Sequence, residues 1–232
     1  MTRTVFPAPA PVAVPVLGCD AVFPMHRIYC VGRNYAEHAK EMGFSDREPP
    51  FFFMKPADAV VVAAGDVPTP VPYPPLTSNY HHEVELVVAI GQGGSNITPD
   101  KALQHVYGYA VGLDMTRRDL QAAMRKDGRP WCIAKGFDAS APIGPIVPAA
   151  QAGDAHNAEI HLQVNGQTRQ RSSTSQLIWN VAETIATLSQ AWALQPGDLI
   201  YTGTPEGVGP VQRGDQLVAH ISGLPALRVH IV

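Results

Sequence analysis

Charged side chains are scarce in this sequence, and their scarcity excludes several classes of protein. Of the 232 residues, 16% are Asp, Glu, Lys or Arg, against about 25% in an average globular protein. So few charges argue against a disordered chain or a coiled coil. The net charge of −3 gives no basic surface for nucleic acid or an anionic membrane. No apolar run reaches the roughly 18–20 residues of a membrane helix. We therefore expect neither nucleic acid nor a membrane as a partner.

Cysteine is also rare, and this bears on the compartment. The three cysteines, Cys19, Cys30 and Cys132, are odd in number, widely spaced and form no CxxC pair. This pattern predicts reduced thiols in the cytoplasm rather than a disulfide framework or a zinc site. Four prolines within residues 7–16 prevent the helical core of a signal peptide. We predict an extended, polyproline-type arm over residues 1–25, lying on the body or on a partner subunit, and a single domain over 26–232.

Short strands dominate the rest of the chain. We predict strands at 27–32, 51–55, 82–90, 107–115, 216–222 and 226–232, and a hairpin with strands at 159–164 and 168–172 that turns at Asn165-Gly166. We predict helices at 33–42, 116–126 and 175–192, the last from its apolar residues at helical spacing. This mixture predicts an α+β fold around a rolled sheet with short flanking helices.

Against so few charges, isolated carboxylates in apolar strands are conspicuous. Glu83 and Glu85 are two residues apart in the predicted strand 82–90, which would place both on one face. Burying two ionised carboxylates without a partner costs free energy. If this face of the strand is exposed to solvent, however, the two carboxylates are hydrated and need no partner. Asp114 ends a second apolar strand. Three carboxylates converging from two strands suit a hard divalent cation such as Mg²⁺, Mn²⁺ or Ca²⁺.

Other groups admit both a functional and an ordinary interpretation. His81 and His82 could join a carboxylate in a transition-metal site. His38 and Glu41 share a face of the predicted helix 33–42, as a general base and its orienting carboxylate would. An exposed, solvated pair would look the same.

Lys135 is a lone lysine in an apolar stretch. It is either a fixed positive charge in a site or a side chain that reaches solvent past apolar neighbours. The glycine-rich segment 202–210 could bring its backbone close to a ligand, as any tight surface loop could.

The sequence resembles the fumarylacetoacetate hydrolase family, in particular its acylpyruvase and fumarylpyruvate hydrolase branch. The resemblance is carried by GRNYAEHAKEMG, HHEVEL, GLDMT, AKGFD and TGTPEGVGP, in that order between residues 27 and 215. It implies a mixed β-roll, a homodimer, and a metal held by Glu83, Glu85 and Asp114. It also implies a His38–Glu41 dyad on a helix that closes over the substrate, and Lys135 as a catalytic cation. The residues that it implies near the substrate are Tyr35, Arg118, Gln121 and Thr204.

These assignments lead to a hypothesis about the reaction. A small 2,4-diketo acid would bind the cation, which would polarise it as a Lewis acid. His38 would take a proton from water, the hydroxide would attack the 4-carbonyl, and Lys135 would stabilise the oxyanion. Fumarylpyruvate, a substrate of the gentisate route, would give fumarate and pyruvate. Its second carboxylate would need a partner, for which Arg33, Arg117 and Arg118 are candidates.

Two other functions stay open at this point. A decarboxylase or isomerase acting on oxaloacetate or a related 2-oxo acid would need the same metal but no attacking water. A binding protein without activity would not need His38, Glu41 and Lys135.

Overall fold

The structure is a computed structural model and describes residues 4–7, 10–36 and 47–232. Short strands make up most of its secondary structure. In chain order they are β1 (Ala13–Pro15), β2 (Val22–Pro24), β3 (Ile28–Gly32), β4 (Phe51–Lys55), β5 (Val60–Val62), β6 (Thr69–Val71), β7 (Tyr80–His82), β8 (Val84–Ile90), β9 (Val106–Leu113), β10 (Thr116–Arg117), β11 (Ala141–Ile143), β12 (Val147–Pro148), β13 (Glu159–Val164), β14 (Gln167–Ser173), β15 (Leu199–Tyr201), β16 (Gly209–Pro210), β17 (Gln216–Ile221) and β18 (Leu227–Ile231).

Helices are few and short in the described part of the chain. The α-helices are Pro99–Ala102, Arg118–Lys126, Cys132–Lys135 and Val181–Ala191, and the 3₁₀ turns are Ala57–Ala59, Leu103–His105, Ala149–Gln151 and Thr174–Gln176. None of these helices has both the length and the apolar character that crossing a bilayer requires.

Two mixed sheets build the body of the molecule. The larger has eight strands, in the order β4-β3-β15-β8-β9-β11-β5 with β12 beside β9. Its β3–β15 and β5–β11 pairs are parallel and the others are antiparallel. The smaller sheet has the order β14-β13-β17-β18-β6. This arrangement, with few helices, confirms the predicted α+β fold.

Strand β8 is central to the larger sheet and is buried on both faces. Leu86 and Val88 pack in a core that also contains Leu217 of the smaller sheet. Val87 and Ala89 point the other way, into a second apolar cluster. Because both faces are covered, any polar side chain at the start of this strand is withdrawn from water.

The second cluster is covered by part of the segment predicted as an N-terminal arm. Strands β1 and β2 pair as an antiparallel hairpin, and Val14 and Phe23 are buried beneath it. Val16 adds a bridge to Ile146. Proline at positions 11 and 15 therefore does not prevent strand pairing here. The division of the chain at residues 25 and 26 stays a prediction.

The predicted strand 82–90 is two strands. Residues 80–82 form β7, which pairs with β10 and β16 in a separate three-stranded sheet. The chain changes sheet at Glu83 and enters β8 at Val84. The predicted helix 116–126 likewise begins only at Arg118, since β10 occupies the two preceding residues.

The predicted helix 175–192 also begins late, at Val181. The reason is a capping box, in which Asn180 and Glu183 each accept a hydrogen bond from the other's backbone N–H. The preceding residues are used elsewhere, since Leu177 forms a bridge to Tyr35.

The predicted helix 33–42 lies largely outside the described residues. Of its first four residues only Ala36 is helical. The Asn34 side chain is fixed by two carbonyls, those of Trp179 at 2.9 Å and Thr202 at 2.8 Å. Residue 33 has a φ of 54°, which no helix uses.

Candidate active site

Three carboxylates meet where the chain passes between sheets. Glu85 lies in β8, Glu83 precedes that strand, and Asp114 follows its neighbour β9. The backbone N–H of Asp114 donates to the carbonyl of Glu83 at 2.9 Å. One oxygen of each carboxylate lies within 4.8 Å of the others. The exposed fractions are 5% for Glu83, 2% for Glu85 and 1% for Asp114, so the interpretation as a wet face is wrong.

Glu85 is held by the backbone. Its Oε2 accepts a hydrogen bond from the N–H of Gly203 at 2.8 Å. Burial, followed by the charges of Asp114 and Glu83, raises the pKa of Glu85 well above its usual range. Gly203 has a φ of 103°, and a Cβ there would lie 2.7 Å from the Cβ of Asn34. Only glycine permits this close approach.

Lys135 connects the other two carboxylates. Its Nζ donates to Glu83 Oε2 at 2.7 Å, to Asp114 Oδ2 at 2.6 Å and to Thr116 Oγ1 at 2.7 Å. Burial alone would lower the pKa of Lys135, but Asp114 and Glu83 outweigh burial and raise it. At 2% exposure the side chain does not reach solvent. It is a fixed positive charge inside the site.

Two more basic groups complete the cluster. Lys55 Nζ lies 2.8 Å from Asp114 Oδ1 and donates to the carbonyls of Met115 at 3.1 Å and Lys135 at 2.5 Å. Arg118 Nη2 donates to Glu83 Oε1. Three buried carboxylates thus face three basic groups.

The residues present fit a divalent cation. All the candidate ligands are carboxylate oxygens, which Mg²⁺, Mn²⁺ and Ca²⁺ prefer. Asp114 Oδ1 is buried and accepts no hydrogen bond of good geometry, although Lys55 Nζ lies 2.8 Å away. Lys55 and Asp114 therefore form an ion pair, and two of the three Lys55 ammonium protons are donated to carbonyls. Glu85 is paired with an amide rather than with a basic side chain. A cation would satisfy both oxygens.

A small cavity, here called the carboxylate cavity, opens beside the three acids and has a volume of about 30 Å³. The predicted site residues that line it are Glu83, Glu85, Asp114, Arg118, Gln121, Lys135 and Thr204. Arg118 Nη1 donates to Gln121 Oε1 at 2.5 Å. Thr204 donates to the carbonyl of Val84 at 2.8 Å, which fixes the glycine-rich segment against β8.

Other predicted residues lie elsewhere. Tyr35 is fully buried and is not among the described residues that line the carboxylate cavity. Burial and the charge of Glu85 raise its pKa. Arg117 lies with its guanidinium 4.3 Å from the ring of Phe137 and donates to the carbonyl of Ile133 at 3.0 Å. His38 and Glu41 lie outside the described residues, so their dyad stays a prediction.

The two histidines beside Glu83 have partners away from the acids. His81 Nε2 lies 2.8 Å from Asn79 Oδ1, and His82 Nδ1 lies 3.0 Å from Gln170 Oε1. Burial and the charge of Arg118 lower the pKa of His81 to about 4. The group with metal spacing within the described ranges is the three carboxylates alone. The geometry therefore favours a hard cation over a histidine-ligated one.

Lys55 and Gln170 contact the site residues but are not predicted from the sequence. Lys55 ends the apolar segment FFFMK, so it carries the same signal as Lys135, a lone charge among apolar residues. Gln170 is 1% exposed and joins β14 to the site, since its Nε2 donates to Thr204 Oγ1 at 2.8 Å. Its sequence neighbours are polar, so no local pattern marks it.

The sequence of this chain is similar to those of two kinds of enzyme. A fumarylpyruvate hydrolase from Ralstonia sp. is 47% identical over 184 residues, which cover 79% of this chain and 93% of the relative. Oxaloacetate tautomerase YcgM of Escherichia coli is 42% identical over 202 residues, covering 87% and 90% of the two chains.

A solved structure agrees over nearly the whole length. Fumarylpyruvate hydrolase from Pseudomonas aeruginosa, crystallised with Mn²⁺ and pyruvate, has a TM-score of 0.97 and 57% identity, and the match covers 99% of each chain. Residues 27–232 match the family described as fumarylacetoacetate (FAA) hydrolase C-terminal. This chain therefore belongs to the fumarylacetoacetate hydrolase family.

Proposed function

We propose that this protein is a metal-dependent hydrolase that cleaves the carbon–carbon bond of a 2,4-diketo acid, with fumarylpyruvate as its substrate. The observation that carries the proposal is the buried cluster of Glu83, Glu85 and Asp114 with Lys135 between two of them. The 57% identical relative that binds Mn²⁺ and pyruvate supports it.

The three carboxylates would hold Mg²⁺ or Mn²⁺, which would act as a Lewis acid toward the substrate's oxygens. The chain's own residues would do the rest. Lys135, fixed by Glu83 and Asp114, places a positive charge where negative charge develops on an oxygen. Arg118 and Gln121 form a joined pair of donors on the wall of the carboxylate cavity.

Water supplies the remaining atoms. His38, oriented by Glu41, would remove a proton from a water molecule as its oxygen attacks the 4-carbonyl. The C3–C4 bond then breaks, and its electron pair passes to the pyruvate half as an enolate. One proton returns to carbon 3. One water is consumed, and fumarate and pyruvate are released.

A second function is supported by a specific observation. Oxaloacetate tautomerases are about as similar to this chain as the Ralstonia hydrolase is. Tautomerisation moves one proton between carbon and oxygen and breaks no C–C bond. The same metal and the same Lys135 would serve both reactions, so the attacking water distinguishes them.

A substrate panel separates the two functions. Purified protein with Mn²⁺ or Mg²⁺ is given fumarylpyruvate, acetylpyruvate or the enol of oxaloacetate, and pyruvate and the enol absorbance are both followed. The proposal predicts pyruvate release from fumarylpyruvate that stops on chelation and is lost in Lys135→Met. Enol loss without pyruvate from any substrate would instead establish the tautomerase.

Two further expectations remain proposals. We propose a cytoplasmic homodimer, on the family resemblance and on the isolated cysteines, which are free in the described structure. Light scattering on the eluted protein tests the dimer, since a mass near 50 kDa is about twice the 24.9 kDa of one chain.

A further inference from the structure

The carboxylate cavity is too small for the substrate that the proposed function requires. Its volume of about 30 Å³ suits one or two water-sized groups. A second cavity of about 590 Å³ adjoins it. The two share Arg33, Phe53, Trp131 and Lys135 as wall residues. A diketo acid with one end at the carboxylates can therefore extend its other end into this larger space, here called the aromatic chamber.

Aromatic rings form the walls of the aromatic chamber. Phe51 and Phe53 are alternate residues of β4, the edge strand of the larger sheet, and share a face. Trp131 closes against both, with ring centroids 5.4 Å from Phe51 and 6.0 Å from Phe53. Flat apolar walls at this spacing suit a planar, conjugated acyl group, which can lie along the rings.

The charged groups at the aromatic chamber are all basic among the residues that the structure describes: Arg33, Arg129 and Lys135. Lys135 is committed to the carboxylates, and Arg33 lies 4.9 Å over the Phe51 ring with Glu48 at 3.6 Å. Arg129 differs from both, because its side chain is 65% exposed and its contact with Asp127 is long, at 3.7 Å. Its guanidinium can turn toward an anion in the chamber at little cost.

We infer that the aromatic chamber is the acyl subsite, and that Arg129 is a specificity-determining residue for acyl groups that end in a carboxylate. The inference rests on the proposed function and adds the end of the substrate that the carboxylate cavity does not accept. An acyl group of this kind is planar, unsaturated and anionic. The planar part of the acyl group would pack against the aromatic rings, and its carboxylate would pair with Arg129.

The test uses two substrates of the same carbon skeleton, fumarylpyruvate and crotonylpyruvate, in which a methyl group replaces the distal carboxylate. Arg129→Gln is compared with Lys126→Gln, an exposed lysine three residues away that does not line the aromatic chamber. Both variants remove one positive charge from the same neighbourhood.

For Arg129→Gln we expect kcat/KM on fumarylpyruvate to fall about tenfold, mostly through KM. A charge-assisted hydrogen bond accounts for that loss, at the lower end of its range because the side chain is exposed. Crotonylpyruvate should change less than twofold, and Lys126→Gln should resemble wild type on both. In calorimetry, fumarate should lose affinity for Arg129→Gln by a similar factor, whereas crotonate should not.

The outcomes distinguish a failure of the acyl subsite from a failure of the proposed hydrolase function. An equal loss on both substrates, or none on either, with an active wild type would overturn the subsite and leave the proposed function standing. A wild type that hydrolyses neither substrate would overturn the proposed function and the subsite with it.

Discussion

Lys55 should be among the most sensitive positions of the chain to an apolar substitution. Its side chain is fully buried, and its Nζ faces Asp114 Oδ1 and the carbonyls of Met115 and Lys135. The substitution Lys55→Met nearly preserves the length of the side chain and removes its positive charge. It would leave Asp114 less compensated and remove the Lys55 donor from two buried carbonyls, of which that of Lys135 keeps a hydrogen bond from Ser140 Oγ at 3.0 Å.

The size of the effect follows from these contacts. Breaking a buried ion pair by removing one partner costs about 3–5 kcal/mol. The Met115 carbonyl, which loses this donor, adds about 1–3 kcal/mol, and relaxation of the surroundings brings the total toward the lower end of the summed range. We therefore expect the free energy of unfolding to fall by about 4 kcal/mol. With a urea m-value of about 3 kcal/mol/M, the midpoint moves down by about 1–1.5 M.

Urea unfolding followed by circular dichroism, in chelator so that no cation contributes, measures this shift. Lys101→Met is the matched control, because Lys101 is exposed and such substitutions change stability by less than about 0.5 kcal/mol. A double variant, Lys55→Met with Asp114→Asn, should recover at least about 1 kcal/mol relative to the sum of the single changes. A shift below about 1 kcal/mol for Lys55→Met would refute the view of Lys55 as a support of the site.

Three further predictions concern the site and the outer face of the smaller sheet. Glu83→Ala should abolish stoichiometric metal in elemental analysis of the purified protein, and full occupancy would show that the ligands are wrongly chosen. His38→Ala should abolish turnover with the metal content unchanged, so normal activity would remove the dyad from the mechanism. Burial and nearby His161 lower the pKa of His220 from 6.5, so the unfolded chain takes up a proton before the folded one does. The free energy of unfolding should therefore fall as pH drops below about 6.5 toward the lower folded value, and His220→Gln should fall less steeply in urea titrations at each pH.

The three carboxylates of the site were predictable because they break a strong local pattern. Glu85 and Asp114 each interrupt a run of apolar residues, and burial of such a charge demands an explanation from sequence alone. The prediction that Glu83 and Glu85 share one strand was wrong, since the chain changes sheet at Glu83. The three carboxylates still converge, because β8 and β9 are antiparallel and the start of β8 pairs with the end of β9.

The residues that support the carboxylates were harder to predict from the sequence. Gln170 lies in a hairpin, 86 residues after Val84 in the sequence. Its Oε1 accepts a hydrogen bond from the Val84 N–H. The helix at Val181 begins late because Leu177 is used in a bridge to Tyr35. Contacts of this kind arise from pairing between distant segments. No window of the sequence contains both partners.

The hydrogen bond between Gly203 N–H and Glu85 connects residues 118 positions apart. It can form only where β15 is paired with β8, so the position of the Glu85 carboxylate depends on the pairing of two segments that are distant in the sequence. The same bond makes one amide a reporter. Its exchange with deuterated solvent requires opening of the central sheet rather than local fraying. Protection of the Gly203 amide should therefore correspond to the free energy of global unfolding, and a ligand that binds only the folded protein should slow its exchange by a factor of one plus the ratio of the free ligand concentration to Kd.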